Sequence, residues 1–342
     1  MTPPSGRLPG LVDLQVNGFS GIDLNRDDLA ADDVVALTRE LWAAGVTRYL
    51  PTLITGSEAR LTAAMRAVAA ARRAGPLIAH SIAGIHVEGP HISAADGARG
   101  AHDPAWIRPP DTAELDRWIA ASEGLVRIVT VAPETDGAAA YIAHAVRRGV
   151  TVSLGHAAPG AADIRAAAGH GATLSTHLGN GCAPAVPRHP NHLWAQLAED
   201  RLTAMFIADG HHLPADTLTA MIRAKTPARS VLVSDAAPLA GSPPGTYATS
   251  VGGRVTVEPG GALRLAGTSL LAGSGASLLD CVRWAAGQLP FDRAALWAMA
   301  STTPARLLGG HDASGDSVVV EADGDAWAAA RTEVTGTVVH GR

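Results

Sequence analysis

"GIHVEGPHIS", residues 84–93, closes an apolar run with two imidazoles and a carboxylate packed into a few positions. His86, Glu88 and His91 are open to three readings: metal ligands, a general base, or polar groups where a buried strand meets solvent. The choice depends on what kind of strand this is, and therefore on the segments either side of it.

Outward from this stretch, short β-branched or apolar runs alternate with longer segments of helical period, the pattern of parallel βα units rather than of a meander. Strands are predicted at 11–16, 47–52, 80–87, 126–132, 150–154, 172–176, 203–208 and 230–234. Val34, Leu37 and Leu41 recur at helical spacing after the cap candidate Asp32, and Gly45 stops that helix. Leu61, Met65 and Val68 repeat the pattern before Gly75, while Gly149 and Gly171 close helices just ahead of strands. Eight strand–helix repeats predict an α/β fold, a (β/α)8 TIM-like barrel whose active site lies at the carboxyl ends of the strands. Residues 245–272 read instead as a β-hairpin turning on the "PGG" at 259–261, and helices are expected around 276–288 and 291–308. The tail is β-rich. The expected division is a barrel over residues 9–314 and a reduced small β-subdomain from 315–342 with 1–8.

Composition narrows the chemistry. Of 342 residues, 47% are hydrophobic and 17% charged, enough for a large core, and a net charge of −5 gives no nucleic-acid footprint. No apolar run is long enough to span a bilayer, and "MTPPSGRLPGLVDL" lacks a signal-peptide core, so a cytoplasmic protein without a membrane partner is expected. Cys182 and Cys281 are too far apart for a metal-type spacing. Lys225 is the one lysine, so a Schiff base or a lysine-carbamate metal bridge would have to use it.

On this scaffold Glu88 ends the third strand, His156 of "VSLGHAAPG" the fifth, His177 of "LSTHLGNG" the sixth and Asp235 of "VLVSDAAP" the eighth. Each alone has a plain structural explanation: a hydrogen-bonded histidine, a loop-capping Glu88, an Asp235 that caps the next helix. Together on the catalytic rim, two imidazoles and a carboxylate are what a hydrolytic metal site needs while leaving a position for water.

The residues at these strand ends resemble those of the N-acetylglucosamine-6-phosphate deacetylase family of the amidohydrolase superfamily. The matching stretches, in order, are "PGLVDLQVNGFSGIDLN", "GIHVEGPHIS", "RGAHDP", "VSLGHA", "THLGNG", "IADGHHLP", "LVSDAAPLAG" and "GTSLLAGSGASL". The resemblance implies that Glu88, His156 and His177 bind one divalent metal per subunit, zinc first with iron, cobalt or manganese as alternatives, and that Asp235 is the acid/base. It places His86 beside Glu88 as an orienting group. His91 stands where an aromatic residue is expected, as a pocket or structural residue.

Where many amidohydrolases carry two histidines on the first strand, "DLQVNG" has Gln15 and Asn17, and neutral amides are poor zinc ligands. A mononuclear site follows, with Gln15 and Asn17 bonding ordered water or neighbouring groups or closing the barrel mouth. His102 of "RGAHDP" matches a substrate-contacting position, with a loop-tying hydrogen bond as its alternative. For a 6-phosphate the resemblance implies Asn180 and Gly181, Arg188 eleven residues beyond His177, and His212; "GNGCAP" and "VPRHPNHLW", with His189, His192 and His211, depart from the family pattern. The implied reaction is metal-assisted deacetylation of an N-acetylated amino sugar, with N-acetylglucosamine 6-phosphate first, and another amide or an unphosphorylated sugar as alternatives. A homodimer is the family's implied assembly.

Overall fold

The computed structural model describes residues 2–4, 6–249, 253–309, 315–324 and 326–341. Eight parallel strands run in sequence order round a barrel: Leu11–Val16, Val46–Ile54, Ile85–Glu88, Val126–Val131, Thr151–Leu154, Leu174–Ser175, Thr203–Ile207 and Ser230–Val233. They are barrel strands 1 to 8 below. Registers such as Thr52 with His86 and Glu88 with Thr130 align the carboxyl ends of successive strands on one rim. Strands 1 and 8 meet through a single bridge, Val16 with Ala236.

Alternation builds two cores. Val12, Leu14, Leu50, Met205 and Val231 fill the barrel interior, while Leu11, Leu53, Val87, Val129 and Leu232 face the surrounding helices. Burying a side chain of this size contributes about 1.5–3 kcal/mol. Gly45, Gly149 and Gly171 end helices at φ of +79°, +76° and +106°, the left-handed conformation that glycine adopts without a Cβ clash.

Three local expectations are corrected. The first helix, Ala31–Ala43, is capped by Asp33 rather than Asp32: its carboxylate accepts the Ala30 N–H at 2.9 Å. The third strand is shorter than 80–87 because Pro76 opens a helix, Pro76–Ser81, its fixed φ suiting a first helical position. The segment 245–272 forms three antiparallel strands, Gly245–Ala248, Arg254–Val257 and Leu263–Leu265, instead of one hairpin; residues 250–252 within it lie outside the described residues.

The tail forms a four-stranded antiparallel sheet in which Arg7–Pro9 lies beside Ser317–Asp323, followed by Ala326–Val334 and Thr337–Gly341. Residue 314, where the barrel is expected to end, lies outside the described residues. Thr332 Oγ1 donates to the Trp42 carbonyl at 2.8 Å and Trp297 Nε1 to the Pro9 carbonyl at 2.9 Å, tying this sheet to the barrel's helices. No helix among the described residues is long and apolar enough to cross a membrane.

Lys225 ends the helix Ala215–Lys225, away from the strand-end rim, with Nζ donating to the carbonyls of Gln196 at 3.0 Å and Glu199 at 2.7 Å. Burial draws its ammonium down to about 8. Its partners are the last carbonyls of the helix His192–Ala198, so its work is capping. Lys225→Met should therefore leave these carbonyls unpaired and lower unfolding free energy by about 1–3 kcal/mol in denaturant titration; unchanged stability would remove the capping role.

Candidate metal centre and active-site cavity

Glu88 is the last residue of strand 3, while His156 and His177 lie two residues beyond the ends of strands 5 and 6. Both histidines have positive φ, +48° and +27°, and Asp235 beyond strand 8 has +50°. Non-glycine residues in this region are held against local strain, and here that strain turns three functional side chains toward the barrel axis. Glu88 Oε1 lies 2.9 Å from His177 Nε2 and 3.2 Å from His156 Nε2, and the two Nε2 atoms are 3.0 Å apart. All three residues are buried.

The donor chemistry fits one divalent cation. His156 Nδ1 donates to the Ala98 carbonyl at 2.9 Å, which leaves an electron pair on Nε2. That pair faces another imidazole nitrogen and a carboxylate oxygen, an arrangement a cation stabilises and a dry core does not. Donor atoms about 3 Å apart suit one ion at about 2.0–2.2 Å from each. Burial opposes charge on Glu88, yet the two rings at its Oε1 hold the carboxyl well below the usual range. Among the described residues, Glu88, His156 and His177 are the cluster able to hold a metal.

Supporting groups come from the strands alongside. Gln15 Nε2 donates to Glu88 Oε1 at 2.9 Å and Asn17 Nδ2 to Asp235 Oδ1 at 2.7 Å. A bulge between strands 1 and 2 re-aims Gln15 into the interior. His86 does not bond Glu88. Its Nδ1 meets the Leu14 carbonyl at 3.1 Å and its Nε2 the Thr130 hydroxyl at 2.7 Å, because the ring two residues before the strand end lies one layer deeper. From Thr130 a hydroxyl chain runs to Thr176 at 2.7 Å and on to Ser153 at 2.6 Å, linking strands 3 to 6 beneath the site. Burial lowers His86 to about 4, so this ring is neutral.

A cavity of about 580 Å³ opens over the three donors and is lined by Asn17, His102, Asn180, Gly181, His212 and Asp235 among others. His102 Nδ1 bonds Thr55 Oγ1 at 2.7 Å, and burial, then the neighbouring His156, lowers it to about 3. It thus both ties a loop and lines the cavity. Gly181, at φ +56°, lies over His156: a Cβ there would fall 2.8 Å from Nδ1. His212 Nδ1 pairs with Asp209 Oδ2 at 2.7 Å. Burial pushes the Asp209 carboxyl up, but the His212 ring and the amides of 211 and 212 outweigh it and hold it well below the carboxylate range.

One expectation is corrected, and one open alternative narrows. Arg188 is exposed and is not among the lining residues, because Asn191 Nδ2 holds the carbonyls of Pro187 at 3.0 Å and Arg188 at 3.4 Å and the proline-rich loop leaves the guanidinium in solvent. His91, read as a pocket or a structural residue, is not among the lining residues. It is buried against Trp118 and Tyr141, with ring centroids 5.3 and 4.9 Å away, in the aromatic role its position suggests. Sequence reasoning missed Thr55, Thr130, Ser153 and Thr176; their one signal is a polar residue at or near a strand end.

The amidohydrolase family model matches residues 7–316. The N-acetylgalactosamine-6-phosphate deacetylase of Escherichia coli O157:H7 is 36% identical over 303 residues, 88% of this chain and 78% of that protein. The human N-acetylglucosamine-6-phosphate deacetylase is 36% identical over 322 residues, 89% of this chain and 75% of its own. The chain belongs to the N-acetylglucosamine-6-phosphate deacetylase family of amidohydrolases. The crystal structure of that deacetylase from Mycobacterium smegmatis superposes with a TM-score of 0.87 at 32% identity, covering 98% of this chain and 88% of that one. A mutant of the same enzyme in complex with N-acetyl-D-glucosamine-6-phosphate gives 0.86 at 32% identity, covering 99% and 90%.

Metal analysis of purified variants tests the cluster. His156→Ala should lose most bound metal, since removing a ligand opens the coordination shell, and Gln15→Ala should keep about one ion per chain. Full occupancy in His156→Ala would rule that histidine out as a ligand.

Proposed function

We propose that this family member deacetylates an N-acetylated amino sugar, N-acetylglucosamine 6-phosphate, giving the free amine and acetate. The reading rests above all on one arrangement: a buried carboxylate, Asp235, shares the cavity with the three converging donors. Relatives named as deacetylases of two epimeric acetamido-sugar phosphates support the substrate class. Glu88, His156 and His177 would hold the divalent ion, zinc in the first instance, with iron, cobalt or manganese accepted by the same donors. That ion supplies Lewis acidity to the acetyl carbonyl and to an adjacent water.

The chain's own residues handle the proton. Burial, and then the negative charge of Glu88, push Asp235 up to about 6, within range of a group that both accepts and returns a proton near neutrality. Asn17 occupies its Oδ1, so Oδ2 is the oxygen left to take the proton from water and deliver it to the departing amine. His102, Asn180 and Gly181 line the cavity as contacts for the sugar, and the His212–Asp209 pair offers a fixed ring to a phosphate. By the same family reading the enzyme works as a cytosolic homodimer.

One observation favours a second reading, an unphosphorylated N-acetyl sugar or another amide: among the described residues no arginine or lysine lines the cavity. Acetate release from N-acetylglucosamine and its 6-phosphate separates the two. The wild type should prefer the phosphate, and His212→Ala should lower kcat/KM for it by about 10- to 100-fold while nearly sparing the free sugar. Equal losses on both would assign His212 a structural role, and no wild-type preference would favour the second reading.

Asp235→Asn keeps shape but cannot accept a proton, so kcat should fall by about 10²–10⁴-fold with the metal retained. Near-normal turnover would refute the base assignment.

A further inference from the structure

Along most of the barrel, neighbouring strands are held by backbone ladders, but strands 1 and 8 share only the Val16–Ala236 bridge. Side chains hold this seam. Asp13 Oδ1 accepts the N–H of Gln15 at 3.3 Å, on its own strand, and the N–H of Ser234 at 3.2 Å, across the gap. Ser234 Oγ donates to the Gln15 carbonyl at 3.3 Å and accepts the Ala236 N–H at 3.0 Å. Asp235 therefore sits between two residues whose N–H groups end on these two side chains, and its carbonyl accepts from Ser274 at 3.1 Å. Asp235 itself is held at φ +50°, a conformation an aspartate visits only when its surroundings impose it.

Asp13 is 1% exposed, and its second oxygen, Oδ2, is buried with no hydrogen-bond partner among the described residues. A carboxyl is a costly choice for tying two strands in an apolar wall, since its charge or its proton must be accommodated there. Its return is geometric: one oxygen fixes the strand that carries Gln15 and Asn17 and the strand that carries Asp235.

We infer that Asp13 is a positioning residue for Asp235: by accepting the Ser234 N–H it fixes the Val233–Ser234 peptide, one residue before Asp235, and so the aim of the carboxylate into the cavity. The inference rests on Asp235 being the base, and it assigns Asp13 to turnover rather than to metal or substrate binding. Asp13 is not among the residues that line the cavity. It acts through the backbone of strand 8, where an error of about 1 Å in a reacting group costs about 10²-fold in rate.

The test is a double-mutant cycle on the metal-loaded enzyme with N-acetylglucosamine 6-phosphate, reading kcat, KM, bound metal and melting temperature. Asp13→Ala should lower kcat by about 10- to 100-fold, with KM within about threefold and metal occupancy unchanged. Asp13→Asn, which keeps an acceptor at Oδ1, should restore most of the loss. In the Asp235→Asn background Asp13→Ala should cost less than about twofold more, because the group it aims is already disabled. An equal further loss in that background, or a loss that only tracks the metal-loaded folded fraction, would reduce Asp13 to a seam tie and overturn the inference. Should Asp13→Ala not fold, Ser234→Ala loosens the same seam, and the same cycle decides. If Asp235→Asn alone turns over normally, it is the base assignment that fails.

Discussion

Two imidazole nitrogens and a carboxylate oxygen are buried within 3.2 Å of one another, a set that needs a proton or a cation between its members, and much of the surrounding structure holds them there. Ala98 presents its carbonyl so that His156 carries its proton on the far nitrogen. Gly181 and Gly100 leave room over the same ring where any Cβ would press on it. Gln15 takes up the remaining acceptor capacity of Glu88 Oε1, and positive φ at His156, His177 and Asp235 turns the chain inward just past each strand. The local strain is tolerated because ladder, helix and apolar core fix both sides of each strand.

Much of this is written in local sequence. Glu88, His156, His177 and Asp235 are legible because a (β/α)8 barrel brings the ends of its strands to one rim, whatever their separation in the chain. The third strand is read too long because "PLIAHSIAG" is apolar without a period that separates helix from strand, and Pro76 decides for helix. Arg188 misleads for another reason: spacing counts residues and says nothing about which way a side chain leaves a proline-rich loop. The hydroxyl chain of Thr130, Thr176 and Ser153 is illegible, since its residue types are ordinary and its members are brought together only by barrel register. His91 reverses the case. An imidazole in a motif reads as chemistry, yet here it packs as an aromatic ring.

The cavity combines two environments. Its floor carries the donors and Asp235, and Val255, Leu263 and Leu270 from the segment that follows strand 8 supply apolar wall. His211 Nε2 donates to the Gly260 carbonyl at 3.0 Å, joining the loop after strand 7 to the turn between the second and third strands of that small sheet. An apolar wall beside a polar floor lowers the local dielectric, which strengthens the electrostatic interactions at the reacting carbonyl. Among the described residues no guanidinium lines this cavity, so on the proposed function the anion end of the substrate would depend on few groups, His212, oriented by Asp209, among them.

The first strand bears on how many ions the site could hold. Two histidines at positions 15 and 17 would bring electron pairs toward the barrel axis and invite a second cation between Glu88 and Asp235. Gln15 and Asn17 bring N–H groups instead, each aimed at a carboxylate oxygen. A second cation at that place would meet donors where it needs acceptors, and would have to break both hydrogen bonds to reach the two carboxylates. The amides thus neutralise part of the carboxylates' demand for positive charge without supplying any, leaving Glu88 to the histidine pair. With its Oδ1 held by Asn17, Asp235 would stay free of a metal and able to carry the proton its proposed role requires. Asp13 on the same strand accepts the Ser234 N–H, so strand 1 meets the proposed base at two points: its side chain through Asn17 and, one residue earlier, its backbone through Asp13.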